Sequence, residues 1–256
     1  MKTSTIILTP LMLAFMLGSA NRGTALNPLE TISPNTDTLS PGESLSYTIQ
    51  YYGIPGGTAD IKIDSGPSHL NDTLVFRADV KTNFAISAFW RIEDTFMTLV
   101  EKNGFRTLMT RLWEDENGKK QYREEKYRHN KIKIQETIKN KTKTFSVKTS
   151  GNAVDGLSAL WLLRSKPLEL GDVESFNLFA NRKVFNVQAE VLSLEGIKIN
   201  NQNLETIKVH PVLHTANGKK VRNTDVTIWY TNDQKRRPVQ IKVKNAYGNL
   251  KFLLNN

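Results

Sequence analysis

The sequence predicts a mainly β protein, built as a large curled antiparallel sheet or open β-barrel of about a dozen strands with one short buried helix. Three observations support this prediction. Apolar and polar residues alternate through most of the chain after residue 43, Asn-Gly pairs stand between several of these runs, and a single segment near residue 160 is apolar on nearly every side.

The alternation begins with Leu45, Tyr47, Ile49 and Tyr51, which are separated by polar residues. A spacing of two places the apolar side chains on one face of a strand, which can then be buried while the other face stays polar. Runs with the same spacing continue with Ala59, Ile61 and Ile63; Leu74, Phe76, Ala78 and Val80; Phe185, Val187, Ala189 and Val191; Val226, Ile228 and Tyr230; and Val239, Ile241 and Val243.

Tight turns are predicted between neighbouring runs. Asn103-Gly104, Asn117-Gly118 and Asn217-Gly218 suit type I′ hairpin turns, in which two residues adopt positive φ. Ile54-Pro55-Gly56-Gly57 suits a type II turn. Because such turns join adjacent strands in antiparallel order, most of the chain is expected to form a meander.

The helix is predicted over residues 155–164. Asp155 can cap its first N–H groups, and Pro167 ends it. Its apolar residues cover most of the circumference, which is typical of a buried helix. A curled sheet of this size encloses more space than its own side chains fill. We therefore expect the helix to be a plug or lid, with a lipid-like ligand as the other way to fill the interior.

The first residues have the pattern of a removable signal peptide. Lys2 is followed by an apolar run from Ile6 to Leu17, and small residues before Ala20 and Ala25 offer two cleavage sites. The run is shorter than the roughly 20 residues of a spanning helix, so no transmembrane segment is expected after processing. The predicted divisions are a signal peptide at 1–25, a linker at 26–42 and one antiparallel β domain at 43–256.

The amino-acid composition excludes several kinds of functional site and favours one class of partner. The chain has no cysteine, which excludes disulfides, thiol catalysis and cysteine-based zinc sites. Its 35 basic and 25 acidic residues give a net charge of +10, which favours anionic partners. Nucleic acid is not expected as a partner, because an exported protein rarely meets it.

Much of the positive charge falls on one hairpin. Lysines alternate with isoleucines in Lys131-Ile132-Lys133-Ile134, which predicts a basic outer face. One interpretation is a surface that contacts anionic envelope components, and the other is a set of lysines that protects sheet edges from aggregation. The residues predicted for anionic contact are Arg128, Lys131, Lys133, Lys141 and Lys143.

No catalytic residue, metal site or cofactor is predicted. His210 and His214 flank Pro211 on an expected strand, which separates them too widely to share a metal ion. Glu114-Asp115-Glu116 precedes a turn and is expected to be solvated. The residues predicted to line a ligand cavity are Trp90, Trp113, Leu157, Leu160, Trp161 and Leu163.

Four ordered blocks resemble the bacterial domain-of-unknown-function family 3108. The first is Gly42–Leu45 with Tyr47, followed by Gly53–Ala59. The others are Ser87–Asp94, Asp155–Leu160 followed by Leu170-Gly171-Asp172, and Asp233 with Arg237–Lys242. The resemblance implies an envelope protein, chiefly of Gram-negative bacteria, with an export signal and no assigned reaction. A looser architectural likeness is to periplasmic lipoprotein and lipid carriers.

Two functional hypotheses are consistent with these patterns. The first is a non-enzymatic periplasmic binding or chaperone-like protein that holds a lipid or another amphiphile on its apolar concave face. The second is an envelope interaction protein with a filled core, whose basic face docks an anionic partner or polymer.

Overall fold

A computed structural model describes residues 35–70, 72–222, 224–245 and 248–255. The predicted signal peptide and the first part of the predicted linker lie outside these residues. The strands within the described residues are β1 (Ser44–Tyr51), β2 (Ile54–Ser65), β3 (Thr73–Thr82), β4 (Ile92–Glu101), β5 (Arg106–Glu116), β6 (Lys119–Arg128), β7 (Lys131–Ile138), β8 (Lys141–Lys148), β9 (Val173–Ala180), β10 (Lys183–Ile199), β11 (Gln202–Thr215), β12 (Thr224–Thr231), β13 (Pro238–Asn245) and β14 (Gly248–Leu254). The same described residues also form two α-helices, α1 (Phe84–Ser87) and α2 (Gly156–Arg164), and a 3-10 helix (Thr36–Thr38).

All fourteen strands belong to one antiparallel sheet in the order β8-β7-β6-β5-β4-β3-β2-β1-β14-β13-β12-β11-β10-β9. Strands β1 to β8 form one meander and β9 to β14 a second, and the pairing of β1 with β14 joins them. The outermost strands β8 and β9 are not paired with each other, so the sheet is curled but not closed. The predicted fold class is confirmed.

The two outermost parts of the sheet meet through side chains. Nε of Arg182, in the β9–β10 turn, donates to Glu136 on β7 at 3.1 Å, and its guanidinium lies 5.0 Å from the ring of Phe145 on β8. Tyr127 and Phe179 also meet edge to face, with ring centroids 6.0 Å apart. These side-chain contacts add to two backbone hydrogen bonds at the seam, in which the Val154 N–H donates to the Asn177 carbonyl and the Phe179 N–H to the Val154 carbonyl.

The turn chemistry was only partly predicted. Asn117 and Gly118 both have positive φ, as a type I′ turn requires, but Asn103 and Asn217 do not. The first hairpin turns at Tyr52 and Gly53, both at positive φ, rather than at the predicted Pro-Gly-Gly segment, which belongs to β2. A bulge between Ile49 and Gln50 lets that segment pair with β1, which its composition alone does not reveal.

Part of the segment predicted as a linker packs against the body. Leu39 is buried in the main core, and the Asn35 N–H donates to the Ser165 carbonyl at the end of α2. Residues 35–42 are therefore packed against the domain. The predicted boundaries of the signal peptide, linker and domain remain predictions.

Candidate functional site

Helix α2 occupies the interior of the curled sheet. Leu157, Leu160, Trp161 and Leu163 are buried in the main core, and the Trp161 ring lies 5.7 Å from that of Phe76. These four residues, predicted to line a ligand cavity, therefore lie together in the interior. The structure shows them as part of a packed core rather than the wall of an open pocket.

A buried polar network fixes the beginning of α2. One carboxylate oxygen of Asp155 accepts the N–H groups of Leu157 and Ser158 at 2.9 and 3.0 Å. The other accepts the hydroxyl groups of Thr98, Thr107 and Ser158. Because Thr98 and Thr107 lie on β4 and β5, the cap also ties the helix to the sheet.

The end of α2 is fixed as well. Arg164 is buried, and its Nη2 donates to Glu43 at 3.0 Å and to the Thr38 carbonyl at 3.1 Å. Nε of Arg164 donates to the Lys235 carbonyl at 2.6 Å. In the middle of the helix, the Tyr230 hydroxyl donates to the Leu160 carbonyl at 2.9 Å. Helix α2 is thus attached to the rest of the fold at its beginning, its middle and its end.

Trp90 and Trp113 do not line the interior, which corrects the prediction for both. Trp90 is 54% exposed after α1, and Trp113 is 41% exposed on the outer face of β5 against Tyr122. Trp113 alternates with the buried Leu112 and Glu114, so the strand period turns it outward. The space between Ala78, Phe96, Leu112 and neighbouring residues is only about 10 Å³, roughly one water molecule.

The acidic residues before the Asn117-Gly118 turn are not all solvated, contrary to the expectation. Strand β5 continues to Glu116, so Glu114 and Glu116 are buried on the inner face beside Asp94 of β4. Burial, and then the neighbouring Glu114 charge, raise the pKa of Asp94 to about 8. Burial also raises the pKa of Glu114 and of Glu116 to about 7.

A basic groove lies on the outer face of the β6–β7 hairpin. The basic groove is the depression of about 400 Å³ that is lined by Lys126, Arg128, Lys131 and Lys133. Lys126 stands directly opposite Lys133, and Arg128 directly opposite Lys131, while the intervening Tyr127, Ile132 and Ile134 face inward.

The charge of the basic groove is little compensated. Lys126 has a carboxylate oxygen of Glu124 at 3.0 Å from its Nζ. Among the described residues, no carboxylate lies within 4 Å of the charged nitrogens of Arg128, Lys131 or Lys133. An anion with several negative groups could therefore meet these cations without displacing a carboxylate.

Lys141 and Lys143 are not part of the basic groove. Lys143 is paired with the inward-facing Glu136, and Lys141 with Ile138, so both occupy the other face of the hairpin. Lys141 and Lys143 also lie near the β7–β8 turn, at the opposite end of β7 from the basic groove. The five cations predicted as one surface thus separate, because the β7–β8 register pairs Lys141 and Lys143 with positions of β7 that share a face with the buried Ile132 and Ile134. Sequence reasoning omitted Lys126 from the set, although its two-residue spacing from Arg128 places both on one face.

The structure also shows where the histidine pair and Ser158 lie. His210 and His214 lie on β11, as an extended segment, and Nδ1 of His210 is 3.5 Å from Asp225. Ser158 is buried inside the network of Asp155. Within the described residues, no group of three or more His, Asp or Glu side chains is placed to hold a metal ion. In the same part of the chain, neither helix has the length and apolar character needed to cross a membrane.

The chain is similar to known proteins in sequence and in fold. The family model described as "Protein of unknown function (DUF3108)" matches residues 46–255. No curated protein matches the chain significantly. Among solved structures, the β-barrel-like protein of the domain of unknown function DUF1849 from Brucella abortus gives a TM-score of 0.56 at 11% identity, over 83% of this chain and 95% of that chain. This likeness shows a shared fold.

The lipoprotein LppX from Mycobacterium tuberculosis is also matched, at 12% identity over 86% of this chain and 89% of that chain. Its TM-score is 0.29, which is too low to support an argument from structural similarity.

Proposed function

Since the chain belongs to the DUF3108 family, whose function is unknown, we propose from its geometry that it is a non-enzymatic envelope protein that docks an anionic partner. The partner would be a polymer or surface that carries several phosphate or carboxylate groups. The basic groove on the β6–β7 hairpin is its binding site.

The observation that carries this proposal is the arrangement of like charges in the basic groove. Cross-strand neighbours of the same charge destabilise a sheet, yet two such pairs, Lys126–Lys133 and Arg128–Lys131, stand side by side. Lys148 on β8 is paired with Lys131 and extends the row. A multivalent anion would relieve this repulsion, so binding and stability should be coupled.

The groove suits an extended ligand with repeated charges. Side chains of adjacent strands are about 5 Å apart, and those of the same face along a strand are about 7 Å apart. Four cations at such spacings can contact several charged groups of one polymer. Because binding of this kind releases counter-ions, affinity should fall as salt concentration rises.

The lipid-carrier hypothesis has less geometric support. With α2 in place, its anchored side chains occupy the interior where an acyl chain would lie. A bound amphiphile would have to displace the helix against the Asp155 network and the contacts of Arg164. Native mass spectrometry of protein taken from its own cell envelope tests this hypothesis, since a lipid adduct lost in Leu160→Asp would support it.

The docking proposal is tested by fluorescence anisotropy with fluorescein-labelled polyphosphate over a range of salt concentrations. The triple variant Arg128→Gln, Lys131→Gln and Lys133→Gln should weaken binding by at least about tenfold and reduce its salt dependence. The matched control is Lys62→Gln, Lys198→Gln and Lys219→Gln, which removes the same net charge from exposed positions elsewhere.

Equal loss in the two triple variants would show that only net charge matters and would exclude a specific groove. Unchanged binding in the groove variant would exclude it too.

A further inference from the structure

Two neighbouring loops present an apolar surface, the aromatic tip, at one end of the sheet. The β1–β2 turn contributes Tyr52 and Ile54, which are 62% and 66% exposed. The segment that contains α1 contributes Phe84, Phe89 and Trp90, which are 95%, 89% and 54% exposed. These five residues make up the aromatic tip.

The aromatic tip is held in place by hydrogen bonds. The Asn83 side chain donates to the Pro55 carbonyl at 2.8 Å and accepts from the Ile86 N–H at 3.0 Å, so it joins both loops and caps α1. The Trp90 N–H donates to the Ile86 carbonyl at 2.8 Å. The Arg91 N–H donates to the Asn117 side chain at 2.8 Å, which fastens the segment to the β5–β6 turn.

Side chains of this kind, exposed together, require a partner. Single exposed apolar residues are normal, but a contiguous group is costly in water and marks an interaction surface. The five side chains are 54–95% exposed, so a partner that surrounds them removes the most apolar area from water. The boundary of a lipid bilayer does so, and Trp, Tyr and Phe are favoured there because their rings suit a region between water and hydrocarbon.

The charges around the aromatic tip match an anionic membrane. On the β3–β8 part of this end of the sheet, the cations include Lys81, Arg91, Lys119, Lys120, Lys139, Lys141 and Lys143. Glu93 offsets Arg91, and Asp115 lies 3.9 Å from Lys120. Lys139, Lys141 and Lys143 are exposed at the β7–β8 turn and the start of β8, which the β5–β6 turn separates from the tip at the same end of the sheet. Among the described residues, no carboxylate lies within 4 Å of these three lysines.

We propose that the aromatic tip inserts into the surface of an anionic lipid bilayer, with Lys139, Lys141 and Lys143 contacting lipid head groups beside it. The tip and the basic groove are separate sites. Strand β6 begins at Lys119, next to the tip, and ends at Arg128 in the groove, a distance of about 30 Å along an extended strand. A chain seated on a membrane by its tip thus presents the groove away from the lipid.

Vesicle flotation tests the proposal, with phosphatidylcholine vesicles prepared with and without phosphatidylglycerol. The protein should float with the anionic vesicles. Phe84→Ser with Phe89→Ser should reduce partitioning on the order of a hundredfold, because two aromatic side chains no longer leave water. The control Leu192→Ser with Leu194→Ser removes two exposed apolar residues from β10 and should bind as the unaltered protein does.

Tryptophan fluorescence gives a second readout. Brominated lipid should quench the emission of Trp90, so the quenching disappears in Trp90→Phe and persists in Trp113→Phe. Lys139→Gln with Lys141→Gln should reduce the preference for anionic vesicles, whereas Lys131→Gln with Lys133→Gln in the basic groove should not.

Failure of the protein to float, or equal binding by the tip variant and the unaltered protein, would overturn the proposal. So would quenching that survives in Trp90→Phe. Self-association that Phe84→Ser with Phe89→Ser abolishes, in a protein that ignores vesicles, would instead identify a second copy of the chain as the occupant. None of these outcomes depends on polyphosphate binding, so this proposal and the function proposed for the basic groove can fail separately.

Discussion

Arg164 and Glu43 join the end of the interior helix to the start of the first strand. Nη1 of Arg164 lies 2.8 Å from one carboxylate oxygen of Glu43, and Nη2 donates to the other at 3.0 Å. The guanidinium also lies 5.0 Å from the Trp161 ring centroid. This buried ion pair connects residues that are 121 positions apart in the chain.

Arg164→Met should therefore lower the free energy of unfolding by about 3–5 kcal/mol, because Glu43 would lose its partner in a largely buried site. Urea unfolding followed by circular dichroism measures the loss. The matched control is Arg91→Met, whose partner Glu93 is exposed, and it should change stability little. Similar losses in both variants would contradict a special role for the buried pair.

Asp155→Ala should destabilise the fold by about 2 kcal/mol or more, because it removes the helix cap and the buried carboxylate oxygen that accepts from the Thr98 and Thr107 hydroxyls. Thermal unfolding provides the measurement. Asn83→Ala removes the cap of the short exposed helix α1 and should cost less. An equal cost would mean that capping alone, and not the buried network, accounts for the effect of Asp155.

The inner-face carboxyl groups should make the protein less stable at about pH 8 than at about pH 5. A folded-state pKa of about 8 for Asp94, raised first by burial, means that unfolding releases a proton between about pH 4 and pH 8. The free energy of unfolding should fall as pH rises through this window. Asp94→Asn stays neutral, so it should lose less stability between about pH 5 and pH 8 than the unaltered protein does.

Asp79 provides a control of opposite sign for that experiment. Burial acts to raise its pKa, but hydrogen bonds from Arg77 and Thr95 outweigh burial and lower it. Its stabilising contribution is present above the unfolded pKa and is lost as pH falls through the folded value. Asp79→Asn should thus lower stability equally at about pH 5 and pH 8. A pH dependence in Asp79→Asn like that of Asp94→Asn would contradict the assignment.

Trp161 and Trp113, both predicted to line one cavity, should lose different amounts of stability when each is replaced by alanine. Trp161→Ala should cost about 3–5 kcal/mol, because it leaves a large void between α2 and Phe76 in the packed core. Trp113→Ala should cost less than about 1 kcal/mol, because the ring is partly exposed and packs mainly on Tyr122. Chemical unfolding of the two variants in parallel compares them, and equal losses would show that Trp113 belongs to the core.

Local sequence was sufficient for the parts of the fold that depend on periodicity. The alternation from Leu45 to Tyr51 predicts strand β1, and Asp155 predicts the start of α2, because side-chain parity and helix capping are properties of neighbouring residues. Asn117-Gly118 predicts its turn for the same reason. Lys131 and Lys133 could be assigned to one face by spacing alone, whereas Arg128 joins them only through its cross-strand pairing with Lys131.

The remaining features depend on where strands end and how they pair. Glu114 and Glu116 precede a turn in the sequence, yet the strand continues far enough to bury them, and only pairing with β4 decides its length. The register of β8 on β7 likewise separates Lys141 and Lys143 from the basic groove.

The sequence by itself determined a curled antiparallel sheet with an interior helix and a basic outer face, because alternation and capping act over a few residues. Tertiary structure alone decided that the helix fills the interior, that Trp90 joins Phe84 and Phe89 in an exposed tip, and that Arg164 meets Glu43. Such contacts join distant parts of the chain, and their geometry is set by the register and curvature of the whole sheet.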